Sequence, residues 1–283
     1  MEIARNDPRV ELVSVDSMQV YVGMDIGTAK PSTAERAEVR HHLIDMVPPT
    51  VDYTVSHFQE AASRALGEIE GRGGVPVLVG GTGLHLRSIV DALELPVQFP
   101  EVVASFDGVD TEELHARLSA LDPVGAQRME PSNRRRVVRA LEVTVGAGRP
   151  FSSFGPGLET YPETRFSMVG LRWDRQTING RIEARYDQQM REGFLDEVRG
   201  LAALGDELAR TPRQALGYRQ LLTHVCGDVA LADALGAAIV ATRQFARRQE
   251  RWFRRDPRIR WIDVESNPME ARDAVVGEYE ACS

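Results

Sequence analysis

Five short runs along the chain carry the aliphatic and β-branched pattern of strands: Glu11–Asp16 (ELVSVD), His42–Val47 (HLIDMV), Val75–Val79 (VPVLV), Arg165–Trp173 (RFSMVGLRW) and Ile259–Val264 (IRWIDV). The first and third are nearly continuous apolar runs, the pattern of strands covered on both faces. Between the runs, apolar positions fall at helical spacing over Val55–Arg72, Thr111–Leu121 and Arg134–Val145. The Gly71-Arg72-Gly73-Gly74 cluster ends the first of these helices. Alternating strands and helices predict an α/β core, a mainly parallel sheet flanked by helices.

The strand signal vanishes between Leu95 and about Tyr161. Pro96, Pro100, Pro123, Pro131 and the Gly146–Pro162 stretch break this region into short helices and turns. From Thr177 the pattern is helical again until the last strand. The expected organisation is residues 1–95 as the first part of the core, 96–160 as a helical insertion, and 161–283 as the second part, ending in an arginine-rich helix. No internal repeat or low-complexity segment interrupts it.

Composition adds limits. The 283 residues are 42% hydrophobic and 27% charged, enough to bury roughly three quarters of the unfolded surface. No run of about 20 apolar residues occurs, which excludes a helical membrane span. The start, Met1 to Arg5, has no apolar signal core. Cys226 and Cys282 stand far apart without nearby partners, which excludes a disulfide scaffold and fits a cytoplasmic protein. The net charge of −8 conceals an asymmetry. Between Arg243 and Arg260 there are eight arginines against only Glu250 and Asp256. Such a strip is either a solvated helix face or a binding face for a polyanion.

Candidate chemistry gathers at strand ends. Asp16, Ser17, Met18 and Gln19 come straight off the first strand, where parallel α/β sheets bind ligands. A carboxylate there can take a proton, support a metal, or simply cap a helix. The loop Gly23–Pro31 holds two glycines, Thr28 and the only lysine, Lys30. Its backbone could approach a phosphate, but it is not a Walker A loop, because proline follows the lysine. Val79–Leu84 (VGGTGL) follows the third strand, opens a helix and places Thr82 at the same rim.

Two helices present arginines. Arg135, Arg136 and Arg139 share one side of a helix whose other side carries Val137, Val138 and Leu141. Arg243, Arg247, Arg251 and Arg254 fall within about 80° of arc, opposite Phe245 and Trp252. Arginine's fork suits phosphate, so the second stripe points to a nucleic-acid backbone. No histidine spacing suggests a metal site, and the metal ligands, if any, are left open.

These segments resemble a known family. SVDSMQVYVGMDIGTAKP, HHLID, LVGGTGL, DPVGAQRMEPSNRRRVVRALEV, QALGYRQ and TRQFARRQERWFR run in the order found in bacterial tRNA dimethylallyltransferases, over nearly the whole chain. The resemblance implies a P-loop-kinase-like fold with a helical insertion that grips tRNA. It implies transfer of a dimethylallyl group from dimethylallyl diphosphate to N6 of the adenine 3′-adjacent to the anticodon, in a monomer using Mg²⁺. By resemblance Asp16 is the general base, and Ser17, Met18 and Gln19 contact the flipped-out base. Thr82 lines the reaction channel. Arg135, Arg136, Val137, Val138 and Arg139 contact the tRNA anticodon stem-loop. So do Gln214, Gly217, Tyr218 and Arg219, and Arg247, Arg248, Gln249, Arg251, Trp252 and Arg254.

The sequence departs from the family pattern in several places. A first strand and a G-P-T-x-x-G-K-[ST] loop precede the family's SVDSMQ segment and do not precede it here, so the natural protein is expected to start upstream of Met1. Val22 replaces a usual arginine, His85 a usual tyrosine, and Phe99–Thr111 is shorter than its counterpart. A tRNA-binding homologue without transfer and a small-molecule kinase are the competing readings. The arginine stripe argues against the kinase.

Overall fold

The computed structural model describes every residue except Ser266 and Ser283, and only the backbone of Cys282, whose thiol lies outside the described residues. The chain divides into two compact units, Met1–Val90 with Thr164–Ser283, and Asp91–Glu163. Among the described residues, no helix is long and apolar enough to cross a membrane.

In the first unit β1 (Val10–Val15) is the centre of a parallel sheet, with β2 (His41–His42) on one side and β3 (Val75–Gly80) on the other. β4 (Met168–Trp173) and β5 (Ile259–Val264) pair in parallel as a second sheet. Every residue of β1 is buried, as its continuous apolar run predicts. β3 differs from expectation. It is an edge strand, half-buried, and Val79 is 53% exposed. β4 is likewise an edge, and no ladder joins it to β3 among the described residues, so the expected single sheet is two.

The His42–Val47 strand is shorter than its apolar pattern suggests. Leu43 and Asp45 adopt φ of 62° and 55°, in the left-handed region, where a ladder cannot continue. Asp45 is turned there to meet Lys30 and Arg36, and only an isolated bridge from Val47 to Tyr21 follows.

Among this unit's helices, the ones that frame the site are α1 (Val55–Gly71), α2 (Gly83–Val90), α3 (Arg175–Arg191), α4 (Phe194–Ala202), α5 (Tyr218–Val225) and α6 (Leu231–Phe253). The Thr54 hydroxyl caps α1 by accepting from the N–H of His57. α1 then buries Phe58, Ala61, Ala62, Ala65, Leu66 and Ile69 along one face. These meet Val13 and Val15 of β1 in a core that also takes Phe194, Val198, Tyr218 and Leu221. Each large apolar side chain so buried contributes about 1.5–3 kcal/mol.

The second unit is helical, as the proline-broken sequence predicts. The helices Thr111–Leu121 and Arg134–Gly146 pack through Leu114, Leu118, Val137, Ala140 and Leu141. Buried Asp122 holds its corner, accepting from the N–H groups of Gly125 and Ser152 and from the Ser152 hydroxyl.

Candidate active site

Asp16 leaves the carboxyl end of β1 beside the end of β3, where Val15 stands opposite Gly80. The strands can meet so closely only because residue 80 is glycine: a Cβ there would lie 2.2 Å from the Val15 carbonyl oxygen. The chain then crosses to Thr82, whose N–H approaches the Val15 carbonyl at 3.4 Å and whose hydroxyl accepts from the Ser17 N–H at 3.3 Å. Asp16 and Thr82 are thus brought together at one rim.

One oxygen of the Asp16 carboxylate accepts from the N–H groups of Met18, at 2.7 Å, and Gln19, at 3.3 Å. This local turn fixes the side chain. The other oxygen has no partner within the described residues. Burial pushes the Asp16 carboxyl above the usual aspartate range, partly opposed by those two N–H donors. A half-buried carboxylate with one fixed oxygen, one open oxygen and raised basicity can accept a proton.

The Gly23–Pro31 loop is not free for a phosphate. Its N–H groups at Asp25, Ile26 and Gly27 donate to the carboxylate of Glu197 on α4, at 2.7, 2.8 and 3.1 Å. Lys30 is equally committed. Its side chain is 1% exposed, and Nζ donates to Asp25, Asp45 and the Tyr21 carbonyl. The anion-binding expectation for this loop is therefore met by the chain's own carboxylates.

The glycines after β3 serve close packing by α6. The Gln249 amide donates to the Gly81 carbonyl at 2.8 Å, and a Cβ on Gly83 would lie 2.2 Å from the Trp252 indole nitrogen. Gln249 and Trp252, expected to contact tRNA, thus turn their side chains to this loop. On the opposite side of α6, Arg247, Arg251 and Arg254 are exposed, and Arg248 is exposed on the flank nearer Phe245. The stripe is not uniform. Arg243 is paired with Glu183, and Arg254 with Glu250, which also takes Arg175. Arg247 and Arg251 have no ion pair among the described residues, and Arg248 lies over the Phe245 ring.

In the second unit, Arg135 and Arg136 are exposed. Their neighbours are structural. Val137 is fully buried, Val138 packs against the same core, and Arg139 donates to the Pro96 and Val97 carbonyls and pairs with Glu142. In the QALGYRQ segment, Gln214 and Arg219 are exposed. Gly217 caps α5 at φ 83°, and Tyr218 is buried with its hydroxyl donating to Glu197. Burial, reinforced by the Glu197 charge, raises the Tyr218 phenol and keeps it neutral. Glu197 and Gln189, which donates to the carbonyls of Ile26 and Gly27, carry no sequence signal, because each meets its loop more than 160 residues away.

The sequence matches the IPP transferase family over residues 19–256. A tRNA dimethylallyltransferase from a Nocardioides species is 45% identical over 258 residues, covering 90% of this chain and 83% of that one. The crystal structure of a tRNA isopentenylpyrophosphate transferase from Bacillus halodurans is 33% identical with a TM-score of 0.71, over 99% of this chain and 91% of that one. A eukaryotic dimethylallyltransferase solved acting on tRNA, 22% identical, has a TM-score of 0.81 over 99% of this chain and 75% of its own, a likeness of fold. With these similarities and a P-loop-kinase-like arrangement that gathers Asp16 and Thr82 at the strand ends, the chain belongs to the IPP transferase family, a family of prenyl-transferring enzymes.

Proposed function

We propose that this chain transfers a dimethylallyl group from dimethylallyl diphosphate to N6 of the adenine 3′-adjacent to the anticodon in tRNA. The observation that carries the reading is the Asp16 carboxylate, held by one oxygen and open at the other beside the Thr82 hydroxyl. The target adenine must leave its stack before its exocyclic nitrogen can meet an electrophile. Asp16 then accepts a proton from N6 as that nitrogen bonds to the allylic carbon bearing the diphosphate. The carbon–oxygen bond breaks and the diphosphate leaves with its electron pair. The Thr82 hydroxyl is suited to donate to the bridging oxygen as charge builds there.

The tRNA backbone is met by guanidinium groups without an ion pair among the described residues. Arg247 and Arg251 on α6 and Arg135 and Arg136 in the second unit have this character, and Gln214 and Arg219 are exposed as well. Met18 and Gln19 hold Asp16 through their N–H groups, and the Ser17 N–H ties the turn to Thr82. Among the described residues no group of three or more His, Cys, Asp or Glu side chains could hold a metal ion. Oxygen groups at the rim, the Thr82 hydroxyl among them, would suit a Mg²⁺ held mainly by the diphosphate and water. When bound, such an ion offsets the charge of the leaving diphosphate. Action as a cytoplasmic monomer belongs to the same proposal.

The test incubates the full-length natural protein with tRNA, Mg²⁺ and isotopically labelled dimethylallyl diphosphate, then digests the tRNA to nucleosides. Labelled N6-(dimethylallyl)adenosine is the expected product. Tight tRNA binding without that product would replace this reading by a tRNA-binding protein that does not transfer.

A further inference from the structure

The carboxylate of Glu197 lies far from Asp16 in sequence, yet hydrogen bonds linked by the short backbone stretch Gly27–Ala29 and by Gln19 connect them. Glu197 takes the N–H groups of Asp25, Ile26 and Gly27, and accepts from the Tyr218 hydroxyl at 2.5 Å. Three converging backbone N–H groups form a concavity suited to an anion, and the part-buried ones at Ile26 and Gly27 are costly to leave unpaired. Gly27 belongs to this arrangement, because a Cβ there would fall 2.2 Å from the Phe194 ring and 2.5 Å from that of Tyr218. Gln189 holds the same turn from its carbonyl side.

The loop so fixed continues into Thr28 and Ala29. Their carbonyls accept from the side-chain amide of Gln19, at 3.1 and 3.3 Å. The amide oxygen of Gln19 accepts from the Ser14 hydroxyl at 2.8 Å, so both ends of the side chain are held. The Gln19 N–H in turn donates to the Asp16 carboxylate. Ala29 sits at φ 51°, a conformation an alanine keeps only when its surroundings impose it.

We propose that Glu197 is a positioning residue for the reaction: by filling the nest of N–H groups at Asp25–Gly27, it fixes the loop whose carbonyls orient Gln19 and, through it, Asp16. This rests on the functional reading above. Tyr218 holds the Glu197 carboxylate from the other side, so it acts in the same line. Misplacing a reacting group by about 1 Å can cost about 100-fold in rate, so the effect is read in kcat rather than in tRNA affinity.

The experiment is a double-mutant cycle with Glu197→Gln and Gln19→Ala, measured as single-turnover transfer at saturating tRNA. Glu197→Gln keeps the shape but replaces an anion by a neutral group whose –NH₂ faces N–H donors. A loss of about tenfold or more in rate, with tRNA Kd unchanged, is expected. The double variant should be no slower than Gln19→Ala alone, because both act on one element. Independent, multiplicative losses would overturn the proposal, as would a Glu197→Gln enzyme of wild-type rate. Tyr218→Phe removes one hydrogen bond at little cost in packing, and should give a smaller loss that Gln19→Ala likewise masks. The side-chain amide resonances of Gln19 in the free protein supply a readout independent of activity. They should be protected from solvent exchange in the wild type and exposed in Glu197→Gln. If the wild type transfers no prenyl group, the functional reading fails while the resonances still decide the geometry: unchanged protection would refute it.

Discussion

Replacing Asp16 by asparagine separates chemistry from local structure more cleanly than replacement by alanine. The amide oxygen of asparagine can accept the Met18 and Gln19 N–H groups that now bond one carboxylate oxygen. Its –NH₂ then occupies the position of the open oxygen, with no capacity to take a proton. The turn after β1 should survive, so stability should change by less than about 1 kcal/mol. Asp16→Ala loses both hydrogen bonds, one of them long, and should cost about 1–3 kcal/mol as well as the base. A positioned general base contributes about 100- to 10,000-fold, equivalent to about 3–5 kcal/mol of barrier. The assay is single-turnover transfer to tRNA, with tRNA affinity and urea midpoints measured in parallel. Asp16→Asn should lose at least about 100-fold in rate with near-normal affinity and midpoint. An asparagine variant within about threefold of wild type would refute the assignment of Asp16 as base. The wild-type rate should also fall on acidification at a pH above the usual aspartate range, because burial raises this carboxyl and only its ionised form accepts the proton.

Alanine at both Arg247 and Arg251 should weaken tRNA binding and lower the slope of log K against log salt by about 2, near one per lost phosphate contact. The same change at Arg243 and Arg254 should do less, since Glu183 and Glu250 already engage them. Lys30→Met should destabilise the first unit by about 2–4 kcal/mol, toward the low end for a broken buried pair because Asp25 and Asp45 retain solvent access; an unchanged urea midpoint would contradict the cluster's role. Glu11 has its carboxyl lowered from 4.5 to about 2, first by the Arg72 hydrogen bond and then, against burial, by His42 and Arg40. A depressed carboxyl stabilises the fold above its unfolded value, so the advantage of wild type over Arg72→Ala should fade as pH falls from about 4.5 to about 2; a pH-independent difference would contradict it.

The parts of the site that lie at strand ends were legible from sequence, because the rule for parallel sheets places ligands there. Asp16, Gly80 and Thr82 each follow a run whose apolar pattern marks the strand. The α6 stripe was legible too, since helical spacing alone separates Arg247 and Arg251 from Phe245 and Trp252. Pairing was not legible. Nothing near Arg243 announces Glu183, and nothing in the Gly23–Pro31 loop announces that Glu197 fills it. The lone lysine was conspicuous, but only the fold brings Asp25 and Asp45 around it. His42–Val47 read as a strand because it is a short, mostly aliphatic run, whereas the left-handed turns at Leu43 and Asp45 answer to Lys30 and Arg36. β3 read as covered because its composition matches β1, but composition does not reveal which strand is central and which is the edge.

The most direct measurement maps the prenyl group on tRNA. After reaction with the full-length natural protein and dimethylallyl diphosphate, nuclease fragments are weighed by mass spectrometry, with Asp16→Asn in parallel. The account predicts one dimethylallyl increment, confined to the fragment bearing the adenine 3′-adjacent to the anticodon, and almost none with the variant. An increment on another nucleotide, or an equal yield from Asp16→Asn, would contradict it.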